Sequence, residues 1–446
     1  MKTAKNRVAF TTLGCRTNQN DTAEMQAILM QEGFSVVDSG EEADIYVVNT
    51  CTVTQKSDQN SRLAVKKSLA INDQALVVFT GCYAQLNPEE AAQLNGLDIV
   101  LGNANKLEIA DAIKTRLEQD SPKDAEAVAD IVMTDIHAPR EFKALPISAI
   151  QGRTKAFIKV QTGCDEKCSF CTVVRARGKS ISDTRENILN NVRHAIDSGF
   201  KEITLTGINL GTWGMDFTPA QTFSSLVKDI IDLPGDYRVR LSSINPMEIE
   251  DELIDLMAQS DRICPHLHIP LQSGDDTILT RMRRNYLTQP FIDVVEKAAS
   301  AIPELALGAD LIVGFPGETD EQFENTRRLV ERLPFTYLHV FTYSPREGTE
   351  AYDFKNEVPK KVKKERNRIL TAIAKQKSLD YQKRFLNRKA TVLVEAQRTR
   401  KESLLKGHTE HYIAVEFSGD DALANQLTEV RITDVSEQQV AACLPS

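Results

Sequence analysis

The sequence predicts an α/β protein in three parts: an N-terminal parallel α/β domain, a central partial (β/α)6 barrel and a small antiparallel β-barrel at the C-terminus. Apolar strand-like runs alternate with helical-period segments in residues 1–120 and again in 151–380. Residues 381–446 break that rhythm with short strands separated by turn signals. At 446 residues the chain is too long for one core and suits about three domains.

The first part offers strands at Val8–Leu13, Asp44–Val48, Ala75–Phe79 and Leu97–Leu101, with helical segments between them. That alternation predicts a parallel sheet. A polar, acid-rich stretch from about Glu118 to Ala138 has no sustained apolar period and reads as a linker or hairpin, so residues 121–150 are taken to separate two domains. The second part offers six strands: Ala156–Val160, Glu202–Leu205, Tyr237–Leu241, His266–Ile269, Leu305–Val313 and Tyr337–Phe341. Six βα units make a partial barrel, and about 200 residues are lean for eight. The third part offers Ala390–Glu395, His411–Phe417 and Glu429–Thr433, a pattern that fits a small barrel of the oligonucleotide-binding kind.

Charge and composition narrow the function classes. The formal charge is −9, which argues against indiscriminate nucleic-acid binding. Between Lys355 and Lys406, however, 17 Lys or Arg stand against five Asp or Glu. Alone, such a run is a solvated helix face. Beside a small β-barrel in an otherwise acidic chain it reads as a surface for phosphates. The apolar run after Met1 is too short for a secretory signal, and no stretch approaches the ~20 apolar residues of a membrane span. A cytoplasmic protein is expected, with its eight cysteines as ligands or buried thiols rather than disulfides.

Six of the cysteines form two sets. Cys164, Cys168 and Cys171 share one loop with Cys-x3-Cys-x2-Cys spacing. Iron–sulfur cubanes are normally held by four thiolates, so three leave one iron open to a substrate or cofactor. Gly163 permits a tight turn, and the ring of Phe170 can pack against an adenine. Cys15, Cys51 and Cys82 lie 36 and 31 residues apart, one βα repeat each. In a parallel sheet all three emerge at the carboxyl edge, where such sheets place ligands, and helices starting soon after them favour thiolates. Buried thiols and zinc are the alternatives, although no nearby His completes a zinc site. Cys264 and Cys443 have no partner spacing and read as structural.

These motifs resemble the radical S-adenosylmethionine (SAM) superfamily and, within it, the methylthiotransferases. The resemblance rests on the Cys164 loop, on Leu13-Gly-Cys-Arg-Thr-Asn18, Val48-Asn-Thr-Cys-Thr-Val-Thr54 and Thr80-Gly-Cys-Tyr-Ala-Gln85, and on Pro270-Leu-Gln-Ser-Gly274 and Asp310–Thr319 further on. It spans nearly the whole chain, including a terminal barrel similar to the TRAM domain. It implies a [4Fe-4S] cluster on Cys164, Cys168 and Cys171 that binds SAM and generates a 5′-deoxyadenosyl radical. It also implies an auxiliary [4Fe-4S] cluster on Cys15, Cys51 and Cys82 presenting the sulfur, with a second SAM as methyl donor. Thr206, Gly207, Asn209, Ser242, Ser243 and Gln272, at strand ends, would contact SAM with Phe170, although such polar residues also serve as helix caps. The segment after Cys171 and Asn245 depart from the usual family form, which leaves contacts there open.

The motifs around Cys15 and Cys51 resemble the branch that acts on N6-threonylcarbamoyladenosine at tRNA position 37. The implied partners are a tRNA anticodon stem-loop and an electron donor such as flavodoxin or ferredoxin, with no membrane. The isopentenyladenosine branch and the ribosomal-protein aspartate branch are the alternatives, as is an RNA-binding protein whose clusters are only structural.

Overall fold

A computed structural model describes residues 6–119, 127–146, 154–399 and 402–445. The N-terminal sheet is parallel throughout, in the order β2-β1-β3-β4-β5-β6. Its strands are β1 (Arg7–Thr12), β2 (Ser35–Val37), β3 (Ile45–Thr50), β4 (Leu76–Gly81), β5 (Ile99–Leu101) and β6 (Asp130–Val132). Every residue of β3 and β4 is buried, because helices cover both faces of the sheet. Val47 and Val78 enter one core with Met25 and Leu29, while Val48 and Val77 enter the other with Val65 and Tyr83.

Two strands of this sheet escaped the sequence reading. β2 is three residues long and half-exposed, too short to show a period. β6 falls inside the stretch read as a linker or hairpin, yet its residues pair in parallel with Ile99–Leu101. Being an exposed edge strand, it needs no apolar alternation. The remaining linker expectation, at 121–126 and 147–150, lies outside the described residues. Between them the chain is held against both neighbours: Leu145 N donates to Glu24 Oε1 of the N-terminal part at 3.1 Å, and Arg140 Nη2 to Arg177 O of the central part at 2.6 Å.

The central part has six parallel strands: β7 (Lys155–Lys159), β10 (Glu202–Thr206), β11 (Arg238–Leu241), β12 (His266–His268), β13 (Ala306–Val313) and β14 (Tyr337–Thr342), with a short antiparallel pair, β8 (Gln161–Thr162) and β9 (Ile181–Ser182), beside the first. They form two three-stranded sheets, β7-β10-β11 and β12-β13-β14, joined by a Val239–Ile263 bridge. The result is the expected open barrel of six. Its core runs through Leu205, Trp213, Phe223, Phe291 and Leu311.

The C-terminal part closes into a five-stranded barrel in the order β15-β16-β17-β19-β18, built from β15 (Lys389–Val394), β16 (Leu405–Thr409), β17 (Ala414–Phe417), β18 (Leu427–Val435) and β19 (Val440–Cys443). It is not wholly antiparallel, since β17 pairs in parallel with β19. The expected strand His411–Phe417 starts only at Ala414, because His411 and Tyr412 form the tip of the β16–β17 hairpin. That tip enters the open central barrel: Arg238 donates to the carbonyls of Thr391 and His408, and Arg240 to those of Thr409 and Glu410. Glu202, fully buried, pairs with both arginines.

The basic run is mostly one helix, Lys360–Lys383, spanning the two barrels. Leu370 packs in the central core and Tyr381 in the terminal one. Its charges divide by face. Lys363 and Arg366 are buried and paired with Glu357 and Glu318, while Lys360, Lys361, Lys364 and Lys375 are exposed.

Candidate functional site

The three N-terminal cysteines sit where parallel strands end. Cys15 follows β1 and immediately precedes helix α1 (Arg16–Gln31), with extended backbone at φ −85° and ψ 175°. Cys51 directly follows β3, and Cys82 follows β4 and opens a short helix. The in-register pairing of β1, β3 and β4 brings these ends together. Gly14 allows the close approach, since at φ +95° a Cβ there would lie 2.8 Å from Cys51 Cβ.

Cys164, Cys168 and Cys171 follow β8 in a tight loop. Cys164 N donates to Gly178 O and Cys171 N to Cys168 O. Gly163 is required at the turn, because at φ +74° an added Cβ would fall 1.8 Å from Lys179 O. Donors are aimed at all three sulfurs. Glu166 N and Val173 N lie 3.4 Å from the Sγ atoms of Cys164 and Cys171, and Arg284 Nη1 donates to Cys168 Sγ at 3.1 Å.

Burial pushes the Cys164 thiol up to about 12 and Cys171 up to about 11, and raises Cys51 as well. A bound metal inverts that preference, because a coordinating thiol is deprotonated outright. Among the described residues no three His, Cys, Asp or Glu side chains converge on a point that suits a single ion. A cluster instead takes its thiolates at separate irons. Three thiols per set, with hydrogen-bond donors aimed at one set's sulfurs, therefore fit a pair of clusters that each keep one iron free of protein.

Both sets open onto one cavity of about 680 Å³ between the carboxyl ends of the two sheets. Phe170, Thr206, Gly207, Asn209, Ser242, Ser243 and Gln272 line it too. Ser242 Oγ is buried and has no hydrogen-bond partner among the described residues, so it is available to a ligand. Gln272 stands at φ +65°. The loop after β10 is fixed by Gln161, whose Oε1 accepts from Ile208 N and Asn209 N at 3.0 and 2.9 Å. The Asn209 side chain is already engaged: it donates to Glu248 Oε1 at 2.9 Å and accepts from Asn245 Nδ2 at 2.8 Å. Asn245 also accepts from Arg284. Asn245 thus links the wall to Cys168 through neutral and cationic contacts. Cys264 and Cys443 are not among the cavity-lining residues.

Sequence reasoning missed Arg16, Arg177, Arg284 and Tyr412 at this cavity. Arg16 directly follows Cys15, and adjacency was a usable signal. Tyr412 had none, since it arrives from the other end of the chain. Arg177 belongs to a buried network that clamps the N-terminal domain to the barrel. Asp21 on α1 receives Lys106 Nζ at 2.6 Å, Lys159 Nζ at 2.8 Å and Arg177 Nη2 at 2.9 Å. Lys159 also pairs with Glu24 at 2.6 Å. Since α1 begins at the residue after Cys15, and Arg177 lies six residues beyond Cys171, the clamp fixes one thiol set against the other.

An open six-stranded parallel barrel with three thiols in its first loop, faced by a second parallel sheet carrying three more, defines a radical SAM enzyme with an auxiliary thiol site. Residues 158–330 match the Radical SAM superfamily, and residues 7–102 match the family described as Uncharacterized protein family UPF0004. A threonylcarbamoyladenosine tRNA methylthiotransferase of Thermotoga maritima is 37% identical over 437 residues, which is 98% of this chain and 96% of the relative. The enzyme of that name from Bacillus subtilis is 36% identical over 428 residues, covering 95% and 93%. A tRNA-2-methylthio-N(6)-dimethylallyladenosine synthase of Oceanobacillus iheyensis is 33% identical, covering 95% and 81%. Among solved structures, a radical S-adenosylmethionine methyltransferase from Kitasatospora setae shares the fold, with TM-score 0.56 at 14% identity over 78% of this chain and 77% of that one. The chain belongs to the radical SAM tRNA methylthiotransferase family.

Proposed function

We propose that this protein converts N6-threonylcarbamoyladenosine at position 37 of tRNA to its 2-methylthio derivative, using SAM and two [4Fe-4S] clusters. The carrying observation is that both cysteine sets open onto the same cavity. When bound, the clusters and SAM supply the electron, the radical and the methyl and sulfur groups that closed-shell side chains cannot provide.

The chain's own residues hold and orient these groups. Cys164, Cys168 and Cys171 would hold the SAM-binding cluster, with Arg284 on one sulfur, and Cys15, Cys51 and Cys82 the auxiliary one. Phe170, Thr206, Gly207, Ser242, Ser243 and Gln272 would orient SAM, and Asn209 would brace that wall through Glu248. Val173, Val174 and Ile208 line the same cavity and exclude water from the reacting carbon. At its mouth Phe341 and Val53 are 45% and 61% exposed. Such apolar surface suits the splayed bases of an anticodon loop, which proteins read by stacking. The exposed lysines of the Lys360–Lys383 helix and the TRAM-like barrel would contact phosphates of the stem.

The named relatives favour the threonylcarbamoyl substrate, while the likeness to the dimethylallyl synthase keeps that nucleoside as the second reading. A small reducing protein such as flavodoxin or ferredoxin would deliver electrons. No helix among the described residues is long and apolar enough to cross a membrane, and a cytoplasmic site of action agrees with tRNA as substrate. The test is anaerobic reconstitution with iron, sulfide, a reductant and SAM, followed by nucleoside mass spectrometry of tRNA carrying each hypermodified adenosine. Release of 5′-deoxyadenosine with methylthio product only on the threonylcarbamoyl tRNA is expected. Product only on the isopentenyl tRNA would transfer the assignment to the other branch, and no SAM cleavage would refute the radical chemistry.

A further inference from the structure

Three arginines line the cavity: Arg16, Arg177 and Arg284. Two of them are committed. Arg177 is bound to Asp21 and Asn18, at 2.9 and 2.5 Å. Arg284 is bound to Cys168 Sγ and Asn245, at 3.1 and 2.7 Å. Arg16 differs. Among the described residues its hydrogen-bond partner is neutral: Nη2 donates to Tyr412 Oη at 3.0 Å, and the guanidinium lies 5.7 Å from the centre of that ring. The cavity's own carboxylates are engaged elsewhere, Asp310 with His268 Nε2 at 3.1 Å and Glu166 with Asn285 Nδ2 at 3.1 Å. Arg16 thus brings an unneutralised, partly buried positive charge into the cavity, one residue from Cys15.

Its support comes from the other end of the chain. Tyr412 sits at φ +62° on the β16–β17 hairpin tip and lies over His266, ring centres 4.6 Å apart. Arg240 approaches the same ring at 5.3 Å. Held on several sides, the Tyr412 hydroxyl fixes where the Arg16 fork points. A preorganised guanidinium fork is matched to a carboxylate.

We infer that Arg16, oriented by Tyr412, is the specificity residue for the N6 substituent of the target adenosine and binds its carboxylate. This rests on the tRNA substrate proposed above. The chemistry agrees with the placement: C2, the carbon to be thiolated, and C6, which bears the substituent, flank the same ring nitrogen. A cation beside a sulfur-presenting cysteine is therefore within reach of the threonyl carboxylate. An isopentenyl group offers this guanidinium nothing, and leaves it desolvated without an anion.

The test uses the reconstituted protein and anticodon stem-loop RNA with A37 carrying the threonylcarbamoyl group, its neutral methyl ester, or no substituent. The wild type is expected to bind the acid about 10- to 100-fold more tightly than the ester, the range for a charge-assisted hydrogen bond. Arg16→Gln should bind acid and ester alike, Arg16→Lys should restore part of the difference, and Tyr412→Phe, which removes only one oxygen, should reduce it. If Arg16→Gln retains the acid–ester difference, weakens all three RNAs equally, or loses SAM affinity in parallel, the inference is overturned. A wild type that makes methylthio product from the acid yet binds acid and ester alike overturns the inference alone. A wild type that yields no such product overturns the substrate reading with it.

Discussion

Replacing Asp21 by Asn tests whether the interdomain clamp holds the two halves of the site together. Asp21 is 3% exposed and faces Lys106, Lys159 and Arg177, whose side chains are 7%, 7% and 5% exposed. Three cations thus share two carboxylates, Asp21 and Glu24. After the substitution Lys159 keeps Glu24 and Arg177 keeps Asn18, but Lys106 is left with neutral oxygens alone, those of the new amide and of Asn49 at 3.4 Å. Removing one member of a buried ion pair typically costs about 3–5 kcal/mol, because the remaining charge stays desolvated. Trp213, the single tryptophan and fully buried in the barrel, reports the transition in urea. A loss below about 1 kcal/mol would refute the reasoning. So would a double variant, Asp21→Asn with Lys106→Met, that is no more stable than Asp21→Asn alone, since removing the stranded cation should recover much of the loss. Burial alone would raise the Asp21 carboxyl, but Lys106, Lys159 and Arg177 together hold it well below the usual range. Its contribution is therefore present above an unfolded pKa of about 3.9 and lost as pH falls through the lower folded value, a loss the Asn variant should not show.

Replacing Cys164, Cys168 and Cys171 by Ala should remove about half the iron, as expected for one cluster of two, and abolish SAM cleavage; cleavage by that variant would reject the ligand assignment. Replacing Cys15, Cys51 and Cys82 should leave reductive SAM cleavage but stop methylthiolation, and product from that triple variant would exclude the auxiliary role. Gly163→Ala, with its Cβ 1.8 Å from Lys179 O, should deplete only the Cys164-loop cluster, read as a selective loss of its spectroscopic signal; full occupancy of both sites would contradict the turn argument. Burial lowers His411 to about 4 where the hairpin tip packs on Phe385, just beyond the Lys360–Lys383 helix. Below an unfolded pKa of about 6.5 the unfolded chain takes up the proton first, so stability should fall from pH 6.5 towards 4, by up to roughly 3 kcal/mol. His411→Gln should flatten that slope, and an unchanged slope would reassign it.

Local chemistry was legible where it is written in short segments. The Cys-x3-Cys-x2-Cys loop, the three strand-end cysteines and the six barrel strands all announce themselves through spacing and apolar runs. The edge strands Ser35–Val37 and Asp130–Val132 did not, because a short exposed strand is defined by backbone pairing with its neighbour rather than by its own side chains. Tyr412 was misread as part of a strand for a similar reason. The sequence around it is apolar enough, but the hairpin turns there, and the carbonyls beside it are taken by Arg238 and Arg240 from a distant strand.

By itself, the sequence determined the fold class and the two trios of thiols, because strand periodicity and ligand spacing are local properties of the chain. Only the tertiary structure decided that both trios face one cavity, that Asp21 locks them in register, and that Arg16 and Tyr412 meet there from opposite ends of the protein. Those facts depend on the packing of three domains, and contacts between residues 396 positions apart leave no period or spacing from which they could be read.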